Sequence, residues 1–369
     1  MSKQMYYYNQ GLRALFRWQR TPKGEVGIEI EVERGPWPEA APCPNWVPHV
    51  DNSLRNNGME FVIRQPINRD KVKSSLQDLK KSLEGFGSRF DFSYRTSVHV
   101  HVNIQDMTLR QWCAFVALFT TLEEVLVDIV GPKRAGNKFC LRMKDADEPL
   151  QMIRRGLRNS NIQDQLHDDI KYASMNILAT RTHGTLEFRA MEGNLDPDRI
   201  NDWAQILLAL KDAAKALDNP QDIMGNVSAA GPHAWVRNLL PANNSITEKV
   251  LRYDNLSGSI YEGLRMAQDV CYAVPWEKDD PLAVGPAPAE IYNEMRFVDA
   301  MHHEAPMQGP PVGINDIWAQ VAVMPPRVLR DIDGWGNPGP AAPAAPRPVR
   351  RRVGARVQPP RNPFVEDNI

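Results

Sequence analysis

From Glu25 to Leu217 the chain alternates short β-rich runs with longer helical patterns. Period-two alternation or β-branched enrichment predicts strands at Val26 to Glu33, Gly58 to Arg64, Ser97 to Ile104, Tyr172 to Ala179 and Gly184 to Met191. Between them, Val72, Leu76, Leu79 and Leu83 fall on one helical face, with Asp70 as the expected cap. Thr108 opens a long helical pattern that runs to Val130. Asp196 followed by Pro197 is an N-cap with proline at the first helical position. That helix continues through Trp203, Ile206, Leu207 and Leu210 and ends near Leu217, before Asn219-Pro220. The short polar link Thr180 to His183 predicts a hairpin, hence antiparallel pairing and an α+β fold rather than a doubly wound one.

The remaining stretches are read from their breakers. Gly35 to Pro48 carries Trp37 and Trp46 among prolines too dense for a helix or a central strand, which predicts a loop. After Pro220 short helices are expected around Ile246 to Tyr253, Ser259 to Tyr272, Ala289 to His303 and Gly313 to Val323. From Gly334 the chain is Pro, Ala, Gly and Arg, too poor in apolar residues to offset ordering entropy, so a disordered tail is expected. The expected organisation is an N-terminal segment 1–23, a core 24–220, a helical extension 221–333 and the tail 334–369.

Composition adds limits. The 369 residues are 42% hydrophobic and 24% charged with a formal net charge of −1, the composition of an ordinary soluble protein. This balance gives no global electrostatic case for nucleic acid or a membrane surface as the main partner. It conceals a local excess: Arg347, Arg350, Arg351, Arg352, Arg356 and Arg361 meet no acid until Glu366, which allows nonspecific contact of the tail with an anion. Seventeen of the 30 prolines lie from Pro275 onward, which separates that end from the patterned core. Cys43, Cys113, Cys140 and Cys271 form no CxxC pair and read as reduced thiols of a cytoplasmic protein. Met1 to Arg20 has no apolar stretch before a small-residue cleavage site, so no secretion signal is expected. The window Trp112 to Val130 is long enough to span a membrane but holds Glu123, Glu124 and Asp128. At roughly 2.5 to 3.5 kcal/mol for each acid near a span centre, a packed amphipathic helix is the expectation.

The strands carry the chemistry. In Gly27 to Glu33 alternation puts Glu29, Glu31 and Glu33 on one face and Ile28, Ile30 and Val32 on the other. Like charges so close need water or cations, and hard oxygen ligands suit Mg2+ or Mn2+. In Ser97 to Asn103 the same alternation sets His99, His101 and Asn103 against three valines. Two strand histidines near carboxylates suggest a metal or phosphate site, and taken alone could equally suit zinc. In Gly184 to Arg189, Thr185, Glu187 and Arg189 share the polar side, with Arg189 a planar donor for phosphate or carboxylate oxygens. Glu60 takes the polar face of a fourth strand, against Met59, Phe61 and Ile63. If these strands share a sheet, one face is an acidic surface with two histidines and an arginine, suited to a metal-bound nucleoside triphosphate. No GxxxxGK[ST] loop, GxGxxG fingerprint or GxSxG elbow occurs.

The ordered set of GIEIEVE, Asp51-Asn52-Ser53-Leu54 with GMEFVIRQP, SVHVHVN, Asn137 to Cys140, Tyr172 to Asn176, and GTLEFR followed by Asp196 and a Trp203-bearing helix resembles the amidoligases of the glutamine synthetase and glutamate–cysteine ligase superfamily. The resemblance runs from about Gly24 to Leu217. It implies an ATP-dependent carboxylate–amine ligase built on a curved, mostly antiparallel sheet with helices on one face. Its cofactors would be ATP and Mg2+ or Mn2+, and its intermediate an acyl phosphate. By motif, Glu29, Glu31, Glu60, His99 and Glu187 are the expected metal ligands. His101 is expected at the triphosphate and Arg189 at the transferred phosphoryl or substrate carboxylate. Asn176, Lys133 and Arg134 are candidate nucleotide or phosphate contacts. The base for the incoming amine is open among Glu33, Glu60 and loop residues, and the substrates are open too, with a peptide or protein as one candidate. Such relatives are often found in bacteria and tailed phages.

Three positions depart from the family pattern: Lys171 where arginine is expected, Thr185 where some relatives have arginine, and Leu141-Arg142-Met143 in place of a proline after Cys140. They bear on substrate and nucleotide more than on metal. Two other classes remain open from the residues: a noncatalytic binding or assembly protein on the same fold, and a metal-dependent hydrolase that would retain zinc.

Overall fold

A computed structural model of the protein describes residues 3–19, 23–35, 43–85, 91–145, 148–166 and 172–277. The described strands are β1 (Val26–Val32), β2 (Trp46–Val50), β3 (Met59–Ile63), β4 (Ser97–Asn103), β5 (Met175–Asn176) and β6 (Thr185–Glu192). The described helices are α1 (Lys3–Tyr8), α2 (Leu12–Phe16), α3 (Val72–Gly85), α4 (Leu109–Val130), α5 (Glu148–Arg158) and α6 (Ile162–Gln165). They continue with α7 (Ala179–His183), α8 (Pro197–Ala216), α9 (Asp222–Ala230), α10 (Pro232–Leu239), α11 (Ser245–Leu251) and α12 (Leu256–Cys271). The expected helices at 289–303 and 313–323, and the tail from 334, lie outside the described residues.

The strands form one six-stranded sheet in the order β2-β3-β1-β4-β6-β5. Every pairing in it is antiparallel, so the α+β expectation holds. Alternation works as expected: Ile28, Ile30, Phe61, Val98, Val100, Val102, Leu186 and Phe188 are all fully buried. Helices α4 and α8 cover this apolar face. Phe188 meets Phe119 and Phe115 of α4 at ring-centroid distances of 4.8 and 5.5 Å.

The local signals for α4 and α8 act as read. Thr108 and Gln111 make a reciprocal capping box at the start of α4. Asp196 accepts hydrogen bonds from the backbone of Asp198 and Arg199 at the start of α8. Helix α4 departs from the amphipathic expectation, because it is buried on nearly every side. The sheet takes one side, and α12 packs along another so closely that a Cβ on Gly263 would lie 2.3 Å from the Thr121 carbonyl oxygen. No helix among the described residues is long and apolar enough to cross a membrane.

Three other expectations need correction. The end of the Gly35 to Pro48 stretch enters an edge strand, β2, because an edge tolerates the missing N–H of Pro48. Trp46 there is fully buried and donates to the Ser75 carbonyl and hydroxyl, tying the edge to α3. Asp70 does not cap α3: it sits in a 3-10 turn, Arg69–Lys71, that delays the helix to Val72. The strand expected over Tyr172 to Ala179 shrinks to β5, since Ala173 bridges Leu141 in parallel and Ala179 begins α7. That helical turn, closed by Gly184 at φ 68°, links β5 to β6, which pair antiparallel as the hairpin expectation has it.

Candidate active site

Strand register brings the polar residues together on the face opposite α4. Glu29 lies across from His99, Glu31 from Glu60, and His101 from Glu187, which in turn faces Asn176. A bulge between Val98 and Val100 of β4 gives β6 an extra residue there, around Arg189 and Ala190. Bulges re-aim side chains beside functional sites, and here Arg189 ends against Glu187, to which its Nη1 donates. Gly131, just after α4, fits under this bulge, since a Cβ on it would stand 1.9 Å from the Ala190 carbonyl oxygen.

A cavity of about 330 Å³ opens on this face. From the expected set it is lined by Glu29, Glu31, Glu60, His99, Arg134, Asn176 and Arg189. His101 and Glu187 are buried beside it, His101 Nε2 lying 3.2 Å from Glu29 Oε1 and Glu187 Oε1 lying 3.5 Å from His99 Nδ1. Lys133 is exposed and does not line the cavity. Glu33 is buried but turns elsewhere, accepting a hydrogen bond from the Arg55 backbone at 2.9 Å. Lys171 lies outside the described residues.

Glu29 is the centre of the arrangement. Two groups of side chains could each hold a metal ion, Glu29 with Glu60 and His99, and Glu29 with His101 and Glu187. Glu31 joins neither group. Instead it accepts from the Ser97 hydroxyl at 2.6 Å and the Ser97 backbone at 2.8 Å, and Ser97 Oγ lies 2.8 Å from His99 Nε2. Ser97 has one hydrogen to give, and Glu31 takes it, so Ser97 accepts from His99 Nε2–H. A neutral His99 therefore turns a lone pair on Nδ1 toward Glu29 Oε2 at 3.1 Å and Glu187 Oε1 at 3.5 Å. Acceptors converging in this way call for a proton or a cation between them.

The electrostatics agree. Burial alone would raise the Glu29 carboxyl, yet His101, together with His99 when a proton sits on its Nδ1, holds it well below the usual carboxylate range. Burial likewise opposes ionisation of Glu187, but Arg189, His101 and His99 hold it low. Glu60 is pushed well above its ordinary value by burial and by the charges of Glu29 and Glu31. Burial would lower His101, but the facing Glu29 carboxylate raises it. The carboxylates are thus ionised where imidazoles face them and crowded where only other carboxylates do, which is the demand a divalent cation meets.

Sequence reasoning gave no role to Asp51, Ser53, Arg95, Ser97, Phe139 and Tyr172, which complete the lining. The first two and the last three were visible only as parts of ordered motifs. Arg95 carried no signal, since a loop residue has no periodicity to orient it. Arg134 is fully buried, donates to the carbonyl oxygens of Arg95 and Phe139 at 3.4 and 3.2 Å, and makes no ion pair among the described residues. Burial lowers its pKa, as expected of a cation without a counter-ion.

No curated protein matches the chain. Residues 56–211 match the model of the family described as "Putative amidoligase enzyme". The match takes in Glu60, His99, His101, Arg134, Asn176, Glu187 and Arg189, while β1 with Glu29 and Glu31 precedes it and is placed in the site by the sheet. This match falls on the central stretch whose ordered motifs carry the same resemblance.

Proposed function

We propose that the protein is an ATP- and Mg2+-dependent ligase that joins a carboxylate to an amine, on a sheet used as in the glutamine synthetase superfamily. The observation that carries this reading is the pair of three-residue groups sharing Glu29, set beside the Arg189 guanidinium. The donor set fits the cation: carboxylate oxygens dominate, as hard divalent ions prefer, with one imidazole in each group. Glu29, Glu60 and His99 would hold one ion, and Glu29, His101 and Glu187 the other. Bound there, divalent cations would neutralise the phosphate charge and polarise the transferred phosphoryl group.

The chain's own residues do the rest. A free carboxylate is a poor acyl donor, so the γ-phosphoryl of ATP passes to a carboxylate oxygen and ADP leaves. The amine then attacks the acyl carbon, forming the amide and expelling inorganic phosphate. Arg189 stabilises negative charge on the transferred group or the substrate carboxylate, and Glu187 fixes its orientation. Asn176 donates to the other Glu187 oxygen at 2.6 Å, holding that carboxylate from both sides. Glu31 acts through Ser97, fixing the tautomer of His99. Arg134, buried without a carboxylate partner, supplies an anchor for an anionic group inside the cavity. Among Glu33, Glu60 and the loop residues considered for the amine proton, Glu60 lines the cavity and Glu33 does not, which favours Glu60 over Glu33.

The test is release of ADP and phosphate with Mg2+ across pools of carboxylates and amines. Release should require both substrates and fall to background in Glu29→Ala. Equal release by the wild type and the variant, or bond cleavage without ATP, overturns the reading.

A further inference from the structure

The cavity is acidic within, yet its rim is cationic. Arg55 stands over the Tyr94 ring at 5.5 Å, and Arg95 stands over Tyr94 and Phe139 at 5.9 and 5.8 Å. Lys138 lies 5.0 Å from the centroid of Phe139, whose ring meets Tyr172 edge-on at 5.7 Å. All four cation–π pairs among the described residues therefore occur at this one place. Some surface cations pair with acids, as Arg34 does with Asp91 and Lys73 with Asp198, while others, Lys133 among them, make no ion pair with a described residue. Arg55, Arg95 and Lys138 make no ion pair with any described residue. Arg55 Nη2 donates to the Tyr94 hydroxyl at 2.9 Å and Arg95 Nη1 to the Ser53 carbonyl at 2.8 Å, neutral partners that leave each guanidinium further N–H groups for an oxyanion. Three of them together, uncompensated, form a surface complementary to negative charge.

Size indicates what kind of anion uses it. Arg95, Phe139 and Tyr172 line the cavity, but Arg55, Tyr94 and Lys138 lie outside the lining and are exposed. Arg55 and Lys138, outside the lining of this cavity of about 330 Å³, are placed to answer negative charge that lies beyond it. A nucleotide base stacked on Tyr94 is uncharged and would leave the three cations unanswered, while its phosphates belong with the metal face. An extended chain with acidic side chains meets both demands. One carboxylate enters the cavity to react, and its neighbours stay on the rim.

We propose that the rim formed by Arg55, Tyr94, Arg95 and Lys138 docks an acidic polypeptide segment, one of whose carboxylates enters the cavity. This rests on the ligase reading for what then happens to the carboxylate, but the docking itself is a matter of charge and shape. No periodic pattern announces it, because the three cations come from separate loops.

The experiment uses the full chain with Mg2+ present and two fluorescein-labelled decapeptides, one alternating Glu and Gly and the other alternating Gln and Gly. Fluorescence anisotropy should show the Glu peptide bound at least about fivefold more tightly, as a few exposed ion pairs allow, with the preference shrinking as salt rises. Arg55→Glu combined with Lys138→Glu should abolish the preference while leaving the melting temperature and Mg-ATP affinity unchanged. The arginine-rich tail acts equally in both proteins, so their difference reports the rim. Equal binding of the two peptides, absence of binding by either, or a preference that survives in the double variant overturns the proposal. Loss of Mg-ATP affinity in the variant with the peptide preference intact overturns it in favour of a nucleotide seat. Failure of every acid and amine pair to release ADP would sink the ligase reading while leaving the peptide result standing.

Discussion

The two halves of the site are built differently. The acidic half, Glu29, Glu60, His99, His101 and Glu187, comes from adjacent strands of one sheet. The cationic half, Arg95, Arg134 and Lys138, comes from loops beside β4 and beyond α4. On a strand the backbone fixes which way each side chain points, and the sheet fixes its neighbours. In a loop, packing must do both, and it does so here through the buried Arg134, which holds the Arg95 and Phe139 carbonyls. The strand half is therefore expected to fail through loss of ligands, and the loop half through loss of position or charge.

The largest expected effect is on the strand half. Glu187→Ala removes a ligand together with the group that orients Arg189 and Asn176. Since loss of outer-shell partners alone costs about 10- to 100-fold, ADP release should fall by at least about 100-fold. A loss under threefold in steady-state assays would show that this side chain is not part of the chemistry.

Much of that half was legible in the sequence because period two needs no tertiary information. Alternation placed Glu29, Glu60, His99 and Glu187 on the polar face, and the structure does the same. What alternation could not supply was register, and with it the pairing of His101 with Glu187 or the diversion of Glu31 to Ser97. The bulge that re-aims Arg189 was hidden too, since an inserted residue looks like any other until its partner strand is known. Asp196 and Thr108 marked their helices correctly because caps are local, whereas Asp70 failed because a 3-10 turn intervenes. Lys133 and Arg134 show the limit most plainly: they are neighbours in sequence, yet one is exposed and the other fully buried in the cavity wall.

A pH experiment probes the support of the loop half. Glu123 in α4 is buried, accepts from the Met143 backbone and from the Ser174 hydroxyl, and so clasps the two segments that carry Phe139 and Tyr172 to the cavity. Burial, only partly offset by those hydrogen bonds, raises its pKa from 4.5 to about 7. A carboxyl raised on folding contributes stability that is present below its unfolded value and is lost as pH rises through the folded one. From pH 5.5 to 8 the wild type should therefore lose about 2 kcal/mol relative to Glu123→Gln in urea unfolding. Parallel pH profiles for the two proteins would contradict this account of Glu123.

Smaller effects separate the two neighbouring cations. Arg134→Met replaces a buried cation that has no ion-pair partner, and apolar replacement of buried charge is often neutral or stabilising. Losing its bonds to the Arg95 and Phe139 carbonyls opposes that gain, so the melting temperature should change little while ADP release falls by about tenfold, the effect of losing about 1.4 kcal/mol of anion binding. A drop in stability with unchanged turnover would make Arg134 a purely structural residue. Lys133→Ala should leave the melting temperature unchanged and alter ADP release by no more than about twofold, since changes at exposed sites usually stay within about 0.5 kcal/mol. A larger effect on ATP affinity would bring Lys133 back into the site.

The central claim is that Glu29 serves two cation sites at once. Calorimetric titration with Mn2+ tests it most directly, comparing the wild type with Glu29→Ala, Glu60→Ala and Glu187→Ala. Two ions should bind the wild type, one should bind each of the Glu60 and Glu187 variants, and neither should bind tightly once Glu29 is gone. Retention of either ion at wild-type affinity in Glu29→Ala would contradict the account.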